Sequence, residues 1–426
     1  MNEIEITPLS HPLAARITPP GSKSITNRVL LLAAMSEGRS QISHALFSDD
    51  TRFMIAALQR LGIKIEPDEQ AGTLAVPGSD GAIPVQGADL FVGGAGTAMR
   101  FLTAFVTLGR GRFKIDGNER MRERPIGDLT DALRALGLKV EYELKDGYPP
   151  LVINAIGPDF GSDLGGFVTV NAERSSQFVS ALLLAAPVWK KGLRLKVLNA
   201  VAGPFIEMTL KLMAQWGVNY SRDDEQITIA GNQHYRARSF EVEPDVSSAS
   251  YFAAIAALSG GTVQLSGLTQ DSVQGDSAVF GVLQRMGARV RWLSDGVEIS
   301  GSGRLQGIEI DMSSMPDIVP TIAALAPFAS SPTVIRNVAF IRLHESDRLA
   351  ALATELRRIG VEVEEFDDGL RIKPSTLKPG LIQTYDDHRI AMSFSIVGTK
   401  VKGIRIANPR CVSKTYPNFF LDLAGI

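Results

Sequence analysis

A pair of unlike helices that returns six times limits what this chain can fold into more than any other feature. The first helix of each pair is apolar almost all round. It is predicted over 22–37, from Gly96 to 108, over 178–186, from Ser247 to 258, from Pro316 to 324, and from Asp387 onward. A helix with no polar face belongs in an interior. The second helix is amphipathic and stops on a glycine: 52–61 before Gly62, 126–136 before Gly137, 206–216 before Gly217, 277–286 before Gly287, and 347–359 before Gly360. Glycine just past the last turn is a favoured cap. A last short helix starts near Pro417. Strands fall between the helices, at 40–42, from Ile63, at 113–115 and at 139–142, so the class is α/β. The period is about 70 residues, and six such units account for nearly the whole chain.

Buried helices with strands between them imply helices inside and sheets outside. Three units per lobe is the natural grouping. Pro19-Pro20 and Glu243-Pro244 each precede a serine-rich helix start and are the expected crossovers. One lobe is therefore expected from 21–244, and the other from 1–20 together with 245–426. The formal net charge of −2 argues against a general nucleic-acid binder. Cys411 is the only cysteine, so no intrachain disulfide forms and the cytoplasm is the default compartment. Residues 1–9 alternate polar and apolar and carry two glutamates, which is no signal peptide. No apolar run approaches a membrane span. A monomer is the default expectation.

Unusual residues gather at helix starts, not in helix bodies. The run from Pro19 to Arg28 stops a strand, offers Ser22 as a cap, and puts Lys23, Ser24 and Arg28 on the first turns. Unpaired N–H groups and a partial positive charge there suit phosphate or carboxylate. Other starts carry Gly96 and Thr97; Ser175, Ser176 and Gln177; Asp317; Glu345 to Arg348; and Asp387, His388 and Arg389. Arg124 precedes one start, and Lys414 sits in a late loop. Taken singly, each reads as a cap or a solvated charge. Recurring at one phase of a repeat, they point to helix starts facing one another across a cleft that holds an anion. Arg124, Arg348 and Arg389 suit carboxylate or phosphate forks. Other motifs fail: Gly94-Ala95-Gly96 lacks the third glycine of a dinucleotide loop, the five histidines lack metal spacing, and no Gly-x-Ser-x-Gly elbow is present.

The motifs Pro20-Gly21-Ser22-Lys23-Ser24, Ala95 to Arg100, Arg122 to Gly127, Ser175 to Phe178, Glu345 to Leu349, Tyr385 to Met392 and Ser413 to Pro417 resemble the EPSP synthases, or 3-phosphoshikimate 1-carboxyvinyltransferases, of the enolpyruvyl transferase superfamily. The resemblance runs from residue 19 to 420. It implies a two-lobed inside-out α/β barrel, with buried helices and outer sheets. It implies transfer of the enolpyruvyl group of phosphoenolpyruvate to the 5-hydroxyl of shikimate 3-phosphate, with release of phosphate and with no metal or cofactor. Phosphoenolpyruvate would meet Lys23, Gly96, Arg124, Gln177, Arg348, Arg389 and Lys414. The acceptor would meet Lys23, Ser24, Arg28, Ser175, Ser176, Gln177, Asp317 and His344. Asp317 would be the base and Glu345 the acid, with Lys23 sharing the proton traffic and His388 among the catalytic set. Neither nucleic acid nor a membrane is implied as a partner.

The chain departs from the family pattern at Gly94, Phe101, Ala202, Phe205, Phe340 and His344. Ala202, Phe340 and His344 stand where the family holds the acceptor phosphate. A lost charged hydrogen bond costs about 1.5 to 3 kcal/mol. Two accounts follow. Arg174 and His344 substitute and the acceptor is unchanged, or the chain transfers enolpyruvyl to a different alcohol.

Overall fold

The computed structural model describes residues 2–157, 164–223 and 226–426. The chain divides into two compact units: Gly21–Val242, and Met1–Pro20 with Glu243–Ile426. In the Gly21–Val242 unit, three four-stranded sheets share one design. Gly87–Phe91 lies parallel to Arg110–Asp116, which runs antiparallel to Leu151–Ile156, itself antiparallel to Lys139–Tyr142. Gly166–Asn171, Leu193–Leu198, Gln226–Ile229 and Tyr220–Arg222 repeat that order. So do Ser239–Glu241, Arg39–Ser43, Thr73–Pro77 and Glu66–Asp68. A parallel pair needs a crossover, and in the first two of these sheets the buried helix Gly96–Phe105 or Gln177–Ala185 supplies it.

The interior of this unit is a ring of helices. Gly96–Phe105 packs against Lys23–Met35 and Gln177–Ala185. Each amphipathic helix bridges two of the buried ones. Asp49–Arg60 touches Lys23–Met35 and Gly96–Phe105; Gly127–Ala135 touches Gly96–Phe105 and Gln177–Ala185; Pro204–Gln215 touches Gln177–Ala185 and Lys23–Met35. Every side chain from Ile25 to Met35, and every residue of Gly96–Phe105, is buried. That explains their lack of a polar face.

The other unit repeats the sheet order with Ala14–Ile17, Thr262–Ser266, Gly296–Ser300 and Arg289–Leu293, and again with Glu309–Asp311, Thr333–Arg336, Gly369–Ile372 and Val363–Phe366. The third sheet has three strands: Gly380–Ile382 parallel to Ile404–Ala407, and Glu3–Glu5 antiparallel to it. Helices Val246–Ser259, Val319–Leu325 and His388–Gly398 touch one another pairwise at the centre.

Local chemistry corrects several boundaries. Ser22 occupies the N-cap position but makes no side-chain cap bond. Asp245, not Ser247 or Ser248, caps the helix that follows, accepting from the Ser248 N–H at 3.0 Å. The apolar helices at 96 and 178 stop at Phe105 and Ala185 and tighten into single 3-10 turns, Val106–Leu108 and Ala186–Val188. The strand expected from Ile63 starts at Glu66, because Gly62 adopts a left-handed φ of +88°.

Candidate functional site

In the unit containing the C-terminus, three buried helix starts bring their side chains together. Arg348 is the hub, with a side chain 1% exposed. Its Nε donates to Asp387 Oδ2 at 2.9 Å, Nη1 to Asp317 Oδ1 at 2.9 Å, and Nη2 to Glu345 Oε2 at 2.9 Å. Nη1 also lies 3.1 Å from His344 Nδ1. Burial alone would lower the guanidinium's proton affinity. The carboxylates of Asp387, Glu345 and Asp317 override it and hold the group above its ordinary value.

Asp317 accepts a second charged bond on its other oxygen, from Arg389 Nη2 at 2.8 Å. One carboxylate is thus clamped by two guanidiniums. Arg389 also reaches the Tyr251 hydroxyl at 3.4 Å, a phenol that burial pushes up to about 12. Lys414 Nζ lies 3.5 Å from Glu345 Oε1. Asp387 caps its helix by accepting from the Arg389 N–H at 3.0 Å and takes the Ser346 hydroxyl at 3.0 Å. Behind this cluster Ser247 bonds the buried Asp276. Burial, aided by the charge of Asp317, pushes Asp276 up to about 7. Among the described residues, no group of three or more His, Cys, Asp or Glu side chains is placed to hold a metal ion.

The Gly21–Val242 unit gathers a second cationic set. Lys23, 13% exposed on the first turn of its helix, bonds Asp50 Oδ2 at 3.2 Å. Asp50 is placed by the reciprocal Ser48–Thr51 capping box of the next helix. The Arg124 guanidinium closes on Gly96 with its two Nη atoms nearest: a Cβ there would sit 2.7 Å from Nη1 and 2.8 Å from Nη2. Arg100 holds the loop that carries Arg124, donating to Pro125 O at 3.0 Å. Gln177 Nε2 reaches Thr97 Oγ1 at 3.4 Å, so two helix starts meet there. The Ser175 hydroxyl takes the Gln177 N–H at 3.1 Å. Ser24 is half-buried and Ser176 buried on neighbouring first turns.

A sequence model of the family described as EPSP synthase (3-phosphoshikimate 1-carboxyvinyltransferase) matches residues 9–423. The chain belongs to the EPSP synthase family. A 3-phosphoshikimate 1-carboxyvinyltransferase of Trichormus variabilis is 45% identical over 422 residues, covering 99% of this chain and 98% of the relative. One of Sulfurovum is 44% identical over 431 residues, covering 100% and 99%. The solved EPSP synthase of Acinetobacter baumannii superposes with a TM-score of 0.81 at 24% identity, covering 100% of this chain and 98% of that one, which shows the shared fold. No helix among the described residues is long and apolar enough to cross a membrane.

Within this EPSP synthase family chain, two expected site residues are buried in the core. Arg28 turns inward. It donates to Thr209 Oγ1 at 2.8 Å, Ser24 O at 2.9 Å and Phe205 O at 3.2 Å, and its guanidinium lies 5.1 Å from the Phe101 ring centroid. Burial, with no carboxylate to offset it, pushes Arg28 down to about 9. His388 is fully buried behind Asp387, its Nδ1 3.7 Å from Asp387 Oδ1.

The departures find local explanations. Phe205 serves Arg28 through its backbone carbonyl, which any residue supplies. Phe101 is the aromatic face under the same guanidinium. Ala202 sits in a buried turn at a φ of +51°. Arg174 faces Asp128, at 3.6 Å, on the rim of a cavity of about 440 Å³ lined also by Arg134, Tyr142 and Tyr148. Asp50, Arg100, Tyr251 and Asp276 were not foreseen. Ser48-Asp49-Asp50-Thr51, a cluster of capping residues before a helix, is the one sequence cue to Asp50.

Proposed function

We infer that the chain transfers the enolpyruvyl group of phosphoenolpyruvate to the 5-hydroxyl of shikimate 3-phosphate and releases phosphate. The observation that carries this reading is the Asp317 carboxylate shared between Arg348 and Arg389, in a chain whose relatives at 44–45% identity bear that activity as their name. An arriving phosphate or carboxylate competes for the two guanidiniums. As they turn to it, the Asp317 oxygens are freed of these charged hydrogen bonds and become competent to take the acceptor's hydroxyl proton. The acceptor oxygen then bonds to C2 of the enol, and the methylene carbon takes a proton from Glu345. Loss of that methyl proton restores the double bond as the C–O bond to phosphate breaks. Glu345, held between Arg348 and Lys414, is placed for that exchange, and Lys23 is a second route for protons.

On the phosphoenolpyruvate side the proposal names Lys23, Gly96, Arg124, Gln177, Arg348, Arg389 and Lys414. On the acceptor side it names Ser24, Ser175, Ser176, Gln177, Asp317 and His344. Arg28 joins them as a buried cation whose charge an acceptor carboxylate would offset. The six sheets and their helices are read as six copies of one repeat in two inside-out barrels. A cytoplasmic monomer completes the reading.

A different alcohol as acceptor rests only on Ala202, Phe205, Phe340 and His344. Phosphate release from phosphoenolpyruvate, followed with and without shikimate 3-phosphate, tests the assignment. Release is expected only with the acceptor present. Silence with shikimate 3-phosphate, together with turnover on another alcohol, would overturn it.

A further inference from the structure

We propose that Asp387 is a positioning residue for the transfer: it fixes Arg348 as a fork whose open end meets the phosphoenolpyruvate anion, and it keeps its hold when Asp317 is displaced. The proposal rests on the enolpyruvyl-transfer reading for the identity of that anion. The hold itself is a matter of geometry. Arginine carries five N–H donors and no acceptor. Arg348 Nε donates to Asp387 Oδ2 at 2.9 Å, and Nη2 donates to Asp387 Oδ1 at 3.4 Å. One carboxylate thus spans one side of the guanidinium. The remaining Nη donors face Asp317 Oδ1 and Glu345 Oε2, each at 2.9 Å, and His344 Nδ1 at 3.1 Å.

Exposure separates these partners. The Asp317 side chain is 21% exposed and that of Glu345 13%, whereas Asp387 is 0% exposed. An anion arriving from solvent competes for the Nη end, not for the Nε side that Asp387 covers. Asp387 is itself locked in place. Its Oδ2 also accepts the Ser346 hydroxyl at 3.0 Å, and its Oδ1 accepts the Arg389 N–H at 3.0 Å. The second bond ties the helix start bearing Arg389 to the one bearing Arg348. Burial lowers the proton affinity of Arg348, and Asp387 is the strongest of the charges that offset it.

Asp317 is therefore the exchangeable partner of the cluster and Asp387 the permanent one. With Asp387 in place, Arg348 offers the anion its N–H groups in a fixed direction, so less order has to be imposed when the substrate binds.

Two measurements on the full chain test this. In kinetics, Asp387→Asn keeps the shape of the side chain but turns an N–H group toward the N–H donors of Arg348 and Arg389. KM for phosphoenolpyruvate should rise about 10- to 150-fold, while KM for shikimate 3-phosphate moves less than about twofold. A role confined to folding would lower kcat through loss of active protein and leave both KM values in place, and that result would overturn the proposal. The second measurement needs no substitution at Asp387. In ¹⁵N-labelled unsubstituted protein, the Arg348 Nε–H resonance, assigned by its loss in Arg348→Lys, should stay protected from exchange with water before and after phosphoenolpyruvate and shikimate 3-phosphate are added. Fast exchange in either state would overturn Asp387 as the fixed partner. Failure of the parent reading shows separately, as no phosphate release by the unsubstituted enzyme with shikimate 3-phosphate. It would overturn the role in phosphoenolpyruvate binding, while the Nε–H signal of the ligand-free enzyme still reads the hold of Asp387 on Arg348.

Discussion

Gly96→Ala separates substrate binding from stability at one atom. Gly96 opens its helix and has an ordinary backbone conformation, so alanine brings no strain. A Cβ at this position would lie 2.7 Å from Arg124 Nη1, 2.8 Å from Nη2 and 3.0 Å from Cζ. Real Cβ atoms do not approach so closely, so the guanidinium must move. It is the far end of a long side chain, and moving it costs the fold little. Alanine in a helix regains at most about 0.5 to 1 kcal/mol over glycine, so Tm should hold or rise slightly. Binding should suffer. If Arg124 forks the phosphate or carboxylate of phosphoenolpyruvate, losing one charged hydrogen bond costs about 1.5 to 3 kcal/mol. That raises Kd for phosphoenolpyruvate by about 10- to 150-fold, with shikimate 3-phosphate little affected. Calorimetric titration of each substrate, beside thermal melts, reads both terms. Unchanged phosphoenolpyruvate affinity in a variant of unchanged Tm would refute the placement of Arg124 in the site.

Two further outcomes follow from the cluster around Arg348. Asp317→Ala removes the carboxylate that bridges Arg348 and Arg389; turnover should fall at least about 100-fold while affinity for phosphoenolpyruvate holds or rises, and a tenfold weaker affinity by titration would contradict the competition between Asp317 and the substrate anion. Asp276, raised from 3.8 to about 7 by burial and then by Asp317, binds its proton more tightly folded than unfolded. Its contribution to stability is present at low pH and is lost as pH rises through 7, roughly 2.5 kcal/mol between pH 5 and pH 8. Asp276→Asn should flatten that slope in urea unfolding at the two pH values, and an unchanged slope would count against a buried, proton-holding Asp276.

Much of the fold was legible because burial leaves a direct mark on sequence. Helices such as Gly96–Phe105 and Val246–Ser259 are buried on every side, and an all-round apolar helix has few other homes. The outer strands left weaker marks. Thr73–Pro77 and Leu151–Ile156 are mostly buried on both faces, so they lack the alternation that announces a half-exposed strand. Short edge strands such as Glu66–Asp68, exposed throughout, carry no apolar signal at all.

The site divides along a different line. Charged residues at helix starts were visible, because a polar residue in an apolar run has no packing reason to be there. Their direction was not. Arg28 and Arg348 both stand near helix starts in the sequence, and both end in the interior. Arg348 finds Asp317, Glu345 and Asp387 within hydrogen-bond reach. Arg28 finds hydroxyls, carbonyls and the Phe101 ring. What separates them is carboxylates: Glu345 lies three residues from Arg348, but Asp317 and Asp387 come from distant stretches of chain that no local pattern records. The consequence reaches the chemistry. Under the proposed function, a cation already paired gives up its carboxylate when an anion arrives, and so delivers a base. A buried cation without one gains a counter-charge that the fold does not supply, and so favours an acceptor that carries a carboxylate. The family resemblance set Arg348 against phosphoenolpyruvate and Arg28 against the acceptor, and their different partners are consistent with that proposed division.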